Sequence, residues 1–372
     1  MDSLQILKNL IEIDTRNPPG NTENAVEYLE GLFSSYRTRV VGEDGKLNLI
    51  VDISKGNPHF LFTSHLDTVP CDESMLTPRI EDGRVYGRGS CDAKGCVAAI
   101  VSAFHGFESE VGIKLAFTAD EEIGGRLGLG RVMNHVNPDY VIVGEPFGCD
   151  RIGVAQATVV SLNLIVHGRS GHTAIADIKE GAVYRASKLI TELVDKFEGM
   201  RGRRDEYLSR LESLGLEVEY RGNGDAVFNP SIVRAGIKRN VVPERCVVEA
   251  DVRFAPWIDV DSVRENFHLD NVDVFITGFL RSFGFSLDSV PYERDRKLIE
   301  IMAKAIKQEG VSPKAVVTLG VGDIRHVRNR GIPAFYLGPG GDGLHSDGEF
   351  VYIDEIYSTV RIYRNIVTLS EI

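Results

Sequence analysis

Apolar positions recur along the chain with two periods, and the switches between them outline the elements. Leu4, Leu7, Leu10 and Ile11 share one face of a 3.6-residue period, which predicts an amphipathic first helix. The run Asp14-Thr15-Arg16-Asn17-Pro18-Pro19-Gly20 must break it, because Pro and Gly cannot continue a helix there. Asn21, Thr22 and Asn24 offer N-cap residues for a second helix through Leu29 and Phe33. From Leu47 the pattern turns strand-like, at residues 47–51 and 59–63. Residues 92–107 are small and apolar with few breakers, which suits a buried helix. Residues 113–118 and 140–144 are short apolar runs that each lead into acidic residues.

Strands alternating with helices imply an α/β domain with a mostly parallel mixed sheet flanked by helices. Ligands gather just past the carboxyl ends of strands in such sheets. Near Ala157 the pattern becomes alternating, at 158–166, 230–235 and 246–253, with helices expected over 179–197 and near 260–267 and a strand at 272–276. An α/β pattern resumes near Pro291 and ends in a helix from Asp354. The expected organisation is a discontinuous main domain, 1–157 and 279–372, interrupted by an α+β insertion over 158–278.

Composition narrows the function. A net charge of −12 disfavours nucleic acid and anionic membranes as partners. No apolar run reaches the ~18 residues of a membrane span, and residues 1–5 do not read as a signal peptide. Five scattered cysteines without a CxxC pair argue for a reducing compartment, so a cytoplasmic location is expected.

Five segments carry candidate chemistry, most of them where a predicted strand ends. They are Ser64-His65-Leu66-Asp67, Gly89-Ser90-Cys91-Asp92, Asp120-Glu121-Glu122, Gly144-Glu145-Pro146, and Leu344-His345-Ser346-Asp347. Residues i and i+2 of extended chain point to one side, so His65 and Asp67 can address one site. Each segment alone has a bland reading: Asp92 as a helix cap, Glu121 and Glu122 as solvated loop acids, either histidine as a turn residue. Together, two histidines and three carboxylates at successive strand ends match a carboxylate-bridged pair of borderline metal ions. The lack of cysteine in the set favours zinc, cobalt or manganese over a structural thiolate site.

These segments resemble the M20 metallopeptidase/amidohydrolase family, in which they occur in the same order across nearly the whole chain. The loops 14–19 and 88–92 look most like the acetylornithine deacetylase and succinyl-diaminopimelate desuccinylase branch. The resemblance implies two divalent ions, most simply Zn2+ with Co2+ or Mn2+ as alternatives. It assigns His65 and Glu145 to one ion, Glu122 and His345 to the other, and Asp92 to both. It makes Asp67 the partner of His65 and Glu121 the general base, and it turns the insertion into a lid and dimerisation domain of a homodimer. Gly168-Arg169-Ser170-Gly171-His172 resembles the lid motif, whose His172 would stabilise the oxyanion, often from the partner subunit. Asn240 and Arg253 resemble the grip on a substrate carboxylate, and Arg325 lies in a second substrate loop.

The expected activity is removal of an acetyl or succinyl group from an N-acyl amino acid such as N-acetylornithine. Related dipeptidase, carboxypeptidase, acetyl-lysine and succinyl-diaminopimelate activities are the alternatives, with a non-catalytic binding protein more remote. Three departures from the family pattern bear on substrate: the stretch after His172, Gly322 in place of a hydroxyl residue, and the loosened Ser346-Asp347-Gly348-Glu349. Gly338-Pro339-Gly340-Gly341-Asp342-Gly343 formally matches GxGxxG, but no helix and no acidic residue follow as a dinucleotide site requires. Gly168-Arg169-Ser170-Gly171 has its second glycine one residue too early for a nucleophile elbow.

Overall fold

The structure is a computed structural model that describes residues 1–261 and 270–371. Its centre is a nine-stranded sheet in the order Arg37–Glu43, Lys46–Ser54, Gly112–Thr118, His59–His65, Tyr140–Val143, Ala334–Tyr336, Arg151–Ala155, Lys314–Thr318, Glu217–Arg221. Five neighbouring pairs are parallel and three antiparallel, which bears out the mostly parallel mixed sheet. The central strands are apolar on both faces, as strands covered on both sides must be. Helix Lys94–Phe104 is buried along its whole length, packed against the sheet and between helices Ser3–Glu12 and Ile353–Thr368. That burial explains why its sequence reads as continuous small apolar residues rather than as an amphipathic stripe.

A second, antiparallel sheet has the order Ala226–Ala235, Arg245–Phe254, Thr158–His167, Val272–Leu280. Helix Ala182–Glu198 covers one face, burying Ala182, Ala186, Leu193 and Phe197 in a separate apolar core. The alternation of Thr158–His167 follows from having one covered face. The helix expected near 260–267 falls largely outside the described residues.

The stretch 158–278 is not of one piece. Strand Glu217–Arg221 pairs in parallel with Lys314–Thr318 at the edge of the main sheet. Helix Arg204–Glu212 buries Tyr207 and Leu211 in the main core, which Ala255 and Trp257 also join. The insertion therefore returns to the main domain before it ends. The alternation of Glu217-Val218-Glu219-Tyr220-Arg221 was too short and too charged to mark it in sequence. No helix among the described residues is long and apolar enough to cross a membrane.

Candidate metal centre

Parallel pairing brings the functional segments to one edge. His65 ends strand His59–His65 beside Thr118, the last residue of Gly112–Thr118, and Thr63 pairs with Val143, the last of Tyr140–Val143. The chain after Thr118 leads to Glu121 and Glu122, and the chain after Val143 leads to Glu145. Asp120 has a left-handed φ of 71°, and Gly124 and Gly125 follow with φ of 118° and 62°, so the turn reverses tightly after the acidic pair. A Cβ on Gly125 would strike the Asp323 carboxylate, which leaves glycine as the residue that fits.

Asp92 joins the two histidines. Its Oδ1 lies 3.0 Å from His65 Nε2 and its Oδ2 lies 3.3 Å from His345 Nε2. Glu122 Oε2 is 3.4 Å from the same His345 nitrogen, and Glu145 Oε1 is 4.0 Å from His65 Nε2. Ligand atoms of His65, Asp92 and Glu122 all fall within 4.8 Å of one another. Asp92 caps no helix: it precedes helix Lys94–Phe104, whose cap position is Ala93 and lacks a side-chain bond. The bland reading of Asp92 is thereby removed.

The electrostatics call for cations here. Four carboxylates, those of Asp92, Glu121, Glu122 and Glu145, converge on a site walled by the buried His65. Burial, reinforced by neighbouring carboxylates, pushes both Glu121 and Glu145 well above the usual range for glutamate. The Asp92 and Glu122 carboxylates push His345 up to about 10. Burial alone would lower His65, but the Asp67 and Asp92 carboxylates outweigh it and raise it. Burial would raise Asp92, but His345 and His65 together hold it well below the usual carboxylate range. Glu145 Oε1 is buried without a hydrogen-bond partner. Divalent ions would satisfy that oxygen and replace the protons the histidines otherwise hold, so the donor set fits two metal ions.

Around this set the structure departs from expectation in informative ways. The acceptor nearest His65 Nδ1 is the carbonyl oxygen of Asp67, at 2.9 Å, while the Asp67 carboxylate is 3.6 Å away. That carboxylate instead accepts from Asn17 Nδ2 (2.9 Å) and from the backbone N–H groups of Glu121 (3.1 Å) and Glu122 (3.3 Å). Asp67 thus holds the turn that presents both glutamates. Glu122 joins the cluster with His345, whereas among the described residues no hydrogen bond reaches the Glu121 carboxylate.

Glu349 was read in sequence only as part of a loosened acidic pair. It is buried and accepts from Arg88 Nη1 and from the N–H groups of Gly89 (3.1 Å), Cys91 (3.0 Å) and Asp92 (3.0 Å). Four residues after His345, it ties the loop that carries one candidate ligand to the loop that carries another. Its only sequence signal is a glutamate at fixed distance from His345, which spacing alone does not separate from a solvated acid. The Glu349→Gln variant, which offers an N–H where an acceptor is needed, is expected to bind metal ~10–100-fold more weakly, as loss of a ligand-orienting partner does. Calorimetric titration of the chelated protein with Zn2+ measures this, and unchanged affinity would leave Glu349 a role in the fold alone.

The remaining candidates are not gathered at the cluster. His172 is exposed on a two-residue strand paired with Val241–Val242, and its Nε2 lies 3.5 Å from Asn240 Nδ2. No hydrogen bond or ion pair among the described residues joins either to the metal set. Arg253 reaches from strand Arg245–Phe254 to the main domain: it pairs with Asp251 (2.8 Å) and donates to the Leu319 carbonyl (2.9 Å). Arg325 is buried and donates to the carbonyls of Gly322 (3.0 Å) and Gly124 (2.6 Å), so it braces the turn after Glu121 and Glu122.

Comparison with known proteins places this geometry in context. The chain is 25% identical to a [LysW]-lysine/[LysW]-ornithine hydrolase of Sulfurisphaera tokodaii over 98% of its own length and 94% of the relative's. It is 25% identical to a succinyl-diaminopimelate desuccinylase of Sulfurimonas denitrificans over 99% of each chain. Among solved structures, the M20 family metallo-carboxypeptidase Sso-CP2 of Sulfolobus solfataricus matches over 100% of both chains with TM-score 0.74 and 20% identity. The Bacillus subtilis YXEP protein, described as a dinuclear metal binding peptidase, matches with TM-score 0.69 and 14% identity over 99% of this chain and 97% of that one. The family model for peptidase family M20/M25/M40 matches residues 61–369, and the chain belongs to that family.

Proposed function

We propose that this enzyme hydrolyses the amide bond of an N-acyl amino acid, using two divalent ions, Zn2+ first among them. His65, Glu145 and Asp92 would hold one ion, and His345, Glu122 and Asp92 the other. The observation that carries the reading is Asp92, whose two oxygens each face a different histidine. Bound ions would lower the pKa of a coordinated water from ~15.7 towards ~7 and would polarise the scissile carbonyl.

The chain's own residues do the rest. Glu121 stands beside the cluster without joining its histidine contacts, on a turn fixed by Asp67. Burial raises its pKa, which makes its ionised carboxylate a stronger base for the proton it accepts and then releases. Glu121 therefore takes the proton from the attacking water and delivers it to the departing amine. His172 and Asn240 lie together on the lid and would meet the substrate on domain closure or from the partner subunit of a homodimer. Arg253 would read the free carboxylate of the amino acid product.

The name of one curated relative, a succinyl-diaminopimelate desuccinylase, favours an acylated amino acid over a peptide, and N-acetylornithine is a simple first compound. The test is release of free amine from N-acetyl- and N-succinylornithine by chelated and metal-restored protein. Activity is expected to vanish on chelation and return with Zn2+ or Co2+. Full activity in metal-free protein would remove the two-metal reading.

A further inference from the structure

The main sheet gathers a second set of charged side chains at its end away from the metal centre. Strands Arg37–Glu43, Lys46–Ser54 and Gly112–Thr118 are neighbours, and their register sets Arg37 beside Asp52 and Asp52 beside Lys114. Arg39 stands two residues on from Arg37, so all four side chains leave one face of the sheet. With His135, from the segment after helix Leu129–Val132, they line a cavity of about 140 Å3. Lys114 lies four residues before Thr118, where the strand gives way to the turn of Glu121 and Glu122. At the rise of a strand that is a separation of about 13 Å. None of the lining residues belongs to the metal set.

The charge here runs against the rest of the chain. The protein has a net charge of −12, yet among the described residues lining this cavity three permanent cations face one carboxylate. Asp52 is divided between two of them. Lys114 Nζ pairs with its Oδ1, and Arg37 Nε lies 3.9 Å from its Oδ2, beyond hydrogen-bond reach. Arg39 makes neither a hydrogen bond nor an ion pair among the described residues, and its cross-strand neighbour is the apolar Ile50. The imidazole of His135 is likewise without a partner among them. Like charges gathered on one sheet face repel, and a surplus of two positive charges is what a dianion neutralises. Guanidinium forks match the oxygens of a phosphate in particular. Ile50 and Val136 supply an apolar floor beside these donors.

We infer that this cavity binds a small phosphate monoester, its dianionic phosphate held by Arg37, Arg39 and Lys114 and its organic part resting on Ile50 and Val136. The size agrees. One water needs about 10–15 Å3 on this measure, so the space holds roughly ten, enough for a phosphate group and a few carbons. The inference does not depend on the hydrolase reading, because no proposed metal ligand takes part in it.

Calorimetric titration of metal-loaded protein with glycerol 3-phosphate at low ionic strength tests it, with inorganic phosphate, malonate and acetate as comparators. Glycerol 3-phosphate is expected to bind at least as tightly as inorganic phosphate. It should bind at least ~10-fold more tightly than malonate or acetate, as one further charge-assisted bond provides. Arg39 is exposed, so Arg39→Gln leaves the fold intact; that variant and Lys114→Gln should each weaken binding by ~10-fold. Asp52→Asn, which removes the competing acid, should strengthen it, a gain that damage to the fold does not produce. Phosphates also bind metal ions, so Asp92→Ala is the control, and it should keep the binding. The proposal is overturned if no phosphate binding is detected, or if malonate or acetate matches the ester. Binding lost in Asp92→Ala but unchanged in Arg39→Gln would place the phosphate at the metal centre and overturn it equally.

Discussion

Glu121→Gln is expected to lower kcat by ~10²–10⁴, the range a general base supplies, while metal content and KM stay near their original values. The structure separates the two adjacent glutamates, which sequence alone could not. Glu122 is within 3.4 Å of His345 Nε2 and accepts from Val69 N–H at 3.2 Å, so it is held on both sides. Among the described residues the Glu121 carboxylate makes no comparable bond. Glu122→Ala is therefore the paired control: it should deplete one ion, and activity should recover in part at high metal concentration. Metal analysis beside single-turnover rates distinguishes the two variants. If Glu121→Gln lost metal while Glu122→Ala kept it and lost turnover, the roles would be exchanged.

The larger effect belongs to Asp92. Asp92→Ala should remove both ions and bring hydrolysis down to the level of chelated protein, because each of its oxygens faces a different histidine. No other residue in the set has that position. Deleting His345 or Glu145 should empty one site and weaken the other, a graded loss. Atomic absorption on protein dialysed against a weak chelator provides the readout. A variant that kept one ion per chain would show that Asp92 serves one site only.

How far the sequence could be read depends on the kind of feature. The central strands and helix Lys94–Phe104 were legible because burial on all sides leaves uninterrupted apolar runs. The candidate segments stood out in sequence because most of them follow strands, where a parallel sheet collects its chemistry. What escaped were long-range hydrogen bonds. The Asp67 carboxylate faces His65 at 3.6 Å, as the resemblance implies, but its further bonds to the backbone of the Glu121–Glu122 turn had no sequence signal. No periodicity encodes a carboxylate's choice of partner. Glu349 gripping the loop of Asp92 across the fold is the same kind of feature. Strand Glu217–Arg221 escaped for a different reason: an edge strand with charged residues on its open side has no apolar signature to show.

That strand also bears on the modularity of the molecule. A segment that leaves a domain once and returns once can be exchanged between relatives as a cassette. Here the chain leaves the main sheet after Ala155, returns as Arg204–Glu212 and Glu217–Arg221, leaves again into Ala226–Ala235, and comes back to the main core at Ala255 and Trp257 before Val272–Leu280 rejoins the lid. Excising 158–278 would strip the main sheet of its edge strand. Recombination at those two seams would graft a foreign antiparallel sheet and, with it, a foreign edge strand on the main sheet. The two sheets are thus inherited as one block, and a chimera meant to exchange only the antiparallel sheet should also lose the pairing of Glu217–Arg221 with Lys314–Thr318.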